Sequence, residues 1–194
     1  MHTLSARLFV GCAVVWTLVS CGGHFDDRVA LAFSTTPSGR EEVPPVASNA
    51  FGSAVVTVDL DNGTLIVSIV TNGIADTDAH IHEGAPGFAG PIVFPLARVG
   101  GNRVWTASVA INDAQLAALR AGNYYVNVHS AVLPNGEIRG QLFELFPSQD
   151  QVNLLRQVVA QSPLVRQQLR QLQDIDDWRH RHFTGVGIRL TFGF

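Results

Sequence analysis

The residues with the most evident chemistry lie between His80 and Pro91 (HIHEGAPGFAGP). On an extended strand, side chains two apart leave the same face, so His80 and His82 project together with Cα atoms about 7 Å apart. Ala79 and Ile81 then point the other way. Two imidazoles on one face can converge on a single metal ion, and imidazole suits copper, zinc, nickel and iron. A third histidine, His129, ends a similar run at 124–129 (YYVNVH). If that strand lies beside the first, the three rings make a metal site. Glu83 and Asn127 are the neighbours expected to orient the imidazoles and fix their tautomers. The competing reading is that the histidines hydrogen-bond the Gly/Pro loop and pin it, without metal.

Other polar clusters read more plainly. Glu41 and Glu42, beside Pro44 and Pro45, are expected in a solvated loop. Asp76 and Asp78 have the turn and capping roles common for aspartate. His180 and His182 repeat the HxH spacing in an arginine-flanked segment expected to be surface linker. There is no nucleophile elbow with a Ser/His/Asp order, no catalytic cysteine and no phosphate loop. Only a copper oxidoreductase with an open coordination position would fit an enzymatic role.

The elements that position these residues are short β runs. Residues 54–60 and 64–71 flank Asp61-Asn62-Gly63, and Asn-Gly between β-branched runs is a strong hairpin signal because both residues tolerate positive φ. Residues 92–96, 104–111, 124–129 and 138–146 read as further strands, and Leu31 and Phe33 as a short first one. Between them Ala114 to Arg120 forms a compact helix, capped by Asn112 or Asp113 and ended by Gly122. Short antiparallel strands with few helices predict a mainly β fold, an antiparallel β-sandwich over residues 30–146. In both histidine strands the apolar positions face the core, which places the histidines on the sheet surface or in a loop-covered groove.

After Pro147 the composition shifts. Ser148 with Gln151 forms a capping box opening a helix to about Gln161. Ser162-Pro163 starts a second helix to about Trp178. Apolar stripes at 154, 155, 158 and 159, then at 164, 165, 169, 172 and 175, require burial against the domain or a partner. Residues 185–194 alternate strictly and are expected as an added strand on the sandwich edge or on a neighbour. Residues 147–194 are thus a C-terminal helical extension with a closing strand, and a candidate surface for a protein partner.

The chain has 194 residues, 46% hydrophobic and 15% charged, which describes one globular domain with appendages. All 13 basic residues are arginines, scattered, and the net charge is -3. That leaves no electrostatic footprint for nucleic acid. Residues 1–20 have the form of a signal peptide, with Arg7 in front of an apolar stretch too short to span a bilayer comfortably. Leu18-Val19-Ser20-Cys21-Gly22 resembles the bacterial lipobox, whose cysteine is lipidated. Removal of the peptide discards Cys12 and leaves Cys21 as the sole cysteine, so no internal disulfide can form. Lipidation at Cys21 would anchor the protein to a membrane surface, with residues 21–29 as linker. Gly22 in that pattern implies the outer membrane, and hence the cell envelope, facing the periplasm or the cell surface.

Six motifs in order resemble the CHRD domain, a chordin-type module widespread in bacterial secreted proteins. They are Glu41 to Val46, His80 to His82, Gly90 to Val93, Asp113 to Leu116, Tyr125 to His129 and Asn135 to Gln141. The resemblance covers about residues 30–144 and implies a β-sandwich without a settled activity. A second similarity is to the copper/zinc superoxide dismutases, β-sandwiches that bind copper through an HxH strand and a later Val-His strand. It implies copper, with zinc second, on His80, His82 and His129. The sequence has no counterpart of the bridging histidine, the zinc loop or the dismutase disulfide, which counts against a zinc site of that type and against dismutation. Two functional classes follow: a membrane-anchored, copper-binding envelope lipoprotein, or a metal-free interaction or envelope-structural module.

Overall fold

The computed structural model describes residues 30–158 and 162–182. The signal segment, Cys21, the 21–29 linker and the alternating segment 185–194 lie outside them. Nine strands follow in order: β1 (Ala30–Thr35), β2 (Phe51–Asp59), β3 (Thr64–Asn72), β4 (Asp76–Glu83), β5 (Ile92–Pro95), β6 (Ala97–Arg98), β7 (Val104–Ala110), β8 (Tyr124–Ser130) and β9 (Ile138–Gln141). A 3-10 turn occupies Gly39–Glu41, and the helices are α1 (Asp113–Arg120), α2 (Gln149–Val158) and α3 (Pro163–His182).

The strands form two antiparallel sheets, ordered β1-β2-β3-β7-β6 and β5-β4-β8-β9. The expected hairpin at Asn62-Gly63 forms, with Asp59 paired to Thr64, but only Gly63, at φ 61, takes a positive φ. Asp59 accepts from the Asn62 side chain at 2.8 Å and steadies the turn. Phe33, Val56, Leu65, Val67, Ile69 and Trp105 from the larger sheet bury against Ile81, Tyr124, Val126, Val128 and Ile138 from the smaller one. This is the predicted sandwich.

The larger sheet is covered on both faces. Val152, Leu155, Val165, Leu169, Leu172 and Ile175 of α2 and α3 pack on Ala32, Val55 and Val104. The apolar stripes of the extension are therefore buried on the chain's own domain. Gln168 lies wholly within this layer and donates to the backbone oxygens of Val55 and Ile66, each at 2.9 Å. Both helix starts follow the sequence: the Gln151 N–H donates to Ser148 Oγ at 3.3 Å while Gln151 Oε1 accepts from the Ser148 N–H at 2.8 Å. Ser162 Oγ accepts from the Val165 N–H. No helix among the described residues is long and apolar enough to cross a membrane.

Among the described residues the long helices α2 and α3 pack on the larger sheet, while the 3-10 turn Gly39–Glu41 and its loop lie against β9 of the smaller one. The outer face of the smaller sheet carries the histidines.

Candidate metal centre

Strand β4 pairs directly with β8, the adjacency on which the metal reading depends. The register sets Asp78 opposite His129, His80 opposite Asn127 and His82 opposite Tyr125. Directly opposed residues share a face, so His80, His82 and His129 all rise from the outer side of the sheet while Ala79, Ile81, Val126 and Val128 enter the core. A ligand atom from each of the three rings lies within 4.8 Å of the others. His80 Nδ1 and His129 Nε2 are 3.1 Å apart. Bonds of about 2.0–2.1 Å to one ion put tetrahedral neighbours roughly 3.4 Å from each other, so small ring rotations suffice for chelation.

Backbone carbonyls decide which nitrogens face one another. His82 Nδ1 lies 2.9 Å from the Gly90 oxygen, and His129 Nδ1 lies 3.0 Å from the Pro134 oxygen. A carbonyl can only accept, so each Nδ1 carries the proton and each Nε2 presents a lone pair. His82 Nε2 is buried and finds no hydrogen-bond partner among the described residues. Facing His129 Nε2, an acceptor, the nearby His80 Nδ1 acts as donor.

Electrostatics favour the neutral forms of His80 and His82. Burial lowers the pKa of His80, and His129 and His82 lower it further, against the pull of Asp78. Burial likewise lowers that of His82; the Gly90 carbonyl opposes it, while His129 and Arg139 add to it. Neutral imidazole is the form that binds metal.

The expected orienting residues are placed differently from one another. Asn127 is buried beside His80 in the register. Glu83 alternates onto the other face, opposite Tyr124, whose hydroxyl is raised to about 12 by burial and by Glu83. The orienting groups are instead the Gly90 and Pro134 carbonyls, which any residue could supply and which no side-chain pattern announces. Asp76 is not a turn aspartate but a member of β4. It accepts from Arg98 and from Trp105 Nε1, both at 2.8 Å. Burial would raise its pKa, but hydrogen bonds from Trp105, Thr71 and Arg98 outweigh burial and hold it low. His180 and His182 lie in α3, not in a linker.

Beside the histidines is a buried polar layer that the sequence reading did not anticipate. Glu42, expected in solvent, is 7% exposed, because the chain after Ser38 folds back over the sheet. Ser38 and Arg139 exchange backbone hydrogen bonds at 2.9 and 3.1 Å, which fixes that loop. Burial raises Glu42 to about 7 despite the Arg139 charge, the Val43 N–H and the Asn127 amide. Arg139 is 2% exposed, lies 3.7 Å over the Tyr125 ring and donates to Gln141 at 2.9 Å. Gln141 in turn donates to the backbone oxygens of Gly84 and Gly122. The one available signal was the two-residue alternation of Arg139 and Gln141 in a strand closing a sandwich.

No curated protein and no solved structure matches the chain, so the likeness to superoxide dismutases rests on the two histidine strands alone. The family model for the CHRD domain matches residues 33–142, a span that runs from β1 past β9 and holds all three histidines, and the chain belongs to the CHRD-domain family.

Proposed function

We propose that this CHRD-domain protein is a metal-binding lipoprotein of the cell envelope, with His80, His82 and His129 as the ligands. The observation that carries the reading is the pair of Nδ1 protons spent on Gly90 and Pro134, which turns two Nε2 lone pairs toward one point. A ligand set of imidazoles alone, without thiolate, suits copper first by the Irving–Williams order and zinc second. Three protein ligands leave room for a water or a small exogenous ligand on the ion. The lipobox-like Leu18 to Cys21 supports anchorage to the outer membrane through Cys21.

The test is metal content. Purified soluble protein, begun after Cys21 and exposed to copper or zinc, should retain one equivalent. His80→Ala and His129→Ala should retain little. An equal, substoichiometric content in all three proteins would refute the assignment. Anchorage is tested separately: Cys21→Ala should move the full-length protein from the membrane fraction to the soluble one, and unchanged fractionation would refute a lipid at that position.

A second reading, an interaction module, has its own support. Phe88 is 69% exposed and Val132 86% exposed, and each lies in a loop whose carbonyl receives a histidine proton. Apolar side chains at two loop tips suit contact with another macromolecule. Removing residues 147–194 tests the separate expectation that the extension recruits a partner, provided the truncated chain stays folded.

A further inference from the structure

The geometry points to Tyr125 as a positioning residue of the trihistidine site, acting through the backbone of Gly90. The inference rests on the metal-binding reading only for its effect on affinity; its effect on the His82 ring is independent of metal.

The Tyr125 hydroxyl accepts from the Gly90 N–H at 3.0 Å and lies 3.4 Å from the Gly90 oxygen. That same oxygen receives the His82 Nδ1 proton. One hydroxyl therefore meets both polar backbone atoms of Gly90, the residue whose oxygen selects the His82 tautomer. The grip is close on its other side as well: a Cβ on Gly90 would stand 1.6 Å from the Glu83 backbone oxygen, so this residue must be glycine for the loop to approach β4. The Tyr125 ring also stacks on His82, with centroids 5.0 Å apart and planes 13° from parallel. Arg139, from the strand on the other side of β8, lies over the same ring. Ring and hydroxyl together fix where the imidazole sits and which nitrogen it turns to His80 and His129. Residues that hold a ligand in this manner change metal affinity by about 10- to 100-fold when removed.

Tyr125→Phe isolates the hydroxyl, since the ring that touches His82 and Arg139 is kept. In the metal-free wild type, long-range proton–nitrogen NMR should show His82 as the Nδ1–H tautomer. In Tyr125→Phe it should become a mixture with the Nε2–H form, and competition titration with zinc should give affinity weaker by about tenfold or more. A His82 tautomer indifferent to the hydroxyl overturns the inference, whatever zinc does. A changed tautomer in a protein pair that binds neither zinc nor copper supports the positioning role and overturns the metal reading instead. Should Tyr125→Phe fail to fold, 3-fluorotyrosine at the two tyrosines, Tyr124 and Tyr125, alters the hydroxyl with little change of shape. The His82 Nδ1 resonance must then move; a resonance that stays put overturns the inference.

Discussion

Replacing Glu42 by glutamine should stabilise the protein, and only above mildly acidic pH. The Glu42 carboxyl is buried, its Oε1 has no hydrogen-bond partner among the described residues, and its pKa rises from 4.5 to about 7. A tenfold change in proton affinity corresponds to about 1.4 kcal/mol, so ionising this group in the folded state costs about 3 kcal/mol more than in the unfolded chain. The sign follows from proton binding. Between pH 4.5 and 7 the folded protein holds a proton that the unfolded chain has released, so this group's contribution to stability falls as pH rises and levels off above 7. Glutamine cannot ionise, and its NH2 can donate to Asn127 Oδ1, which also finds no partner among the described residues. Urea unfolding of wild type and Glu42→Gln in chelator-treated buffer, at pH 4.5, 6 and 8, measures the difference directly. It should be near zero at the acid end and approach about 3 kcal/mol at pH 8, where the folded wild type bears the full cost of ionisation. The depressed histidine pKa values affect both proteins alike and cancel. A difference that does not vary with pH, or a glutamine variant less stable at pH 8, would show that the attraction between Glu42 and Arg139 outweighs burial, and the electrostatic account of this layer would be wrong.

Other outcomes follow from the same contacts. Metal affinity should fall as pH drops, with its steep region below the ordinary histidine value of 6.5, because His80 and His82 resist protonation until lower pH; isothermal titration with zinc at pH 5, 6 and 7 reads this, and a flat profile would exclude imidazole ligands. Gly90→Ala should displace the 84–91 loop, since its Cβ meets the Glu83 oxygen at 1.6 Å. Weakened metal retention together with lost protection of the Glu83 N–H, which donates to Pro91, would be visible by hydrogen exchange, and unchanged exchange would refute the contact. Leu172→Ala, in the layer between α3 and the larger sheet, should cost about 2–5 kcal/mol. Urea unfolding measures it, and a loss below about 1 kcal/mol would mean that the extension is only loosely docked.

Much of the fold was legible because local signals agreed with it. The Asn62-Gly63 turn, one of the two expected caps of α1 (Asn112) and the Ser148 and Ser162 caps all form where the residue types place them. The run Val55-Val56 is apolar at successive positions because Val56 meets the other sheet and Val55 meets α2 and α3. Strand β4 alternates because only one of its faces enters the core. Period-two spacing was thus enough to put His80 and His82 together, and the similar run ending in His129 was enough to suggest a neighbour. Glu42 was misplaced for a reason that no local pattern contains: its burial depends on a loop meeting Arg139, nearly a hundred positions away. Tyr125 and Arg139 were passed over for a related reason, since their role depends on the order of three strands rather than on their own neighbours.

The two readings of the histidines, a pinned loop or a metal site, separate less than the sequence implies. A ring that only pins a loop needs one nitrogen, and in His82 and His129 the carbonyls of Gly90 and Pro134 occupy only Nδ1. The second nitrogen of His129 meets His80 Nδ1 at 3.1 Å, and that of His82 finds no partner among the described residues. For His82 that atom is buried, and an acceptor left unsatisfied in such a place costs about 1–3 kcal/mol. A leucine or asparagine at either position could fill space or bond a carbonyl without that cost. Three imidazoles gathered on one face, with the Nε2 lone pairs of His82 and His129 turned inward and the charged forms of His80 and His82 disfavoured, are poor material for a strut and good material for a ligand set. Pinning is then the means by which the rings are aimed, and it belongs to the metal-site reading rather than standing against it.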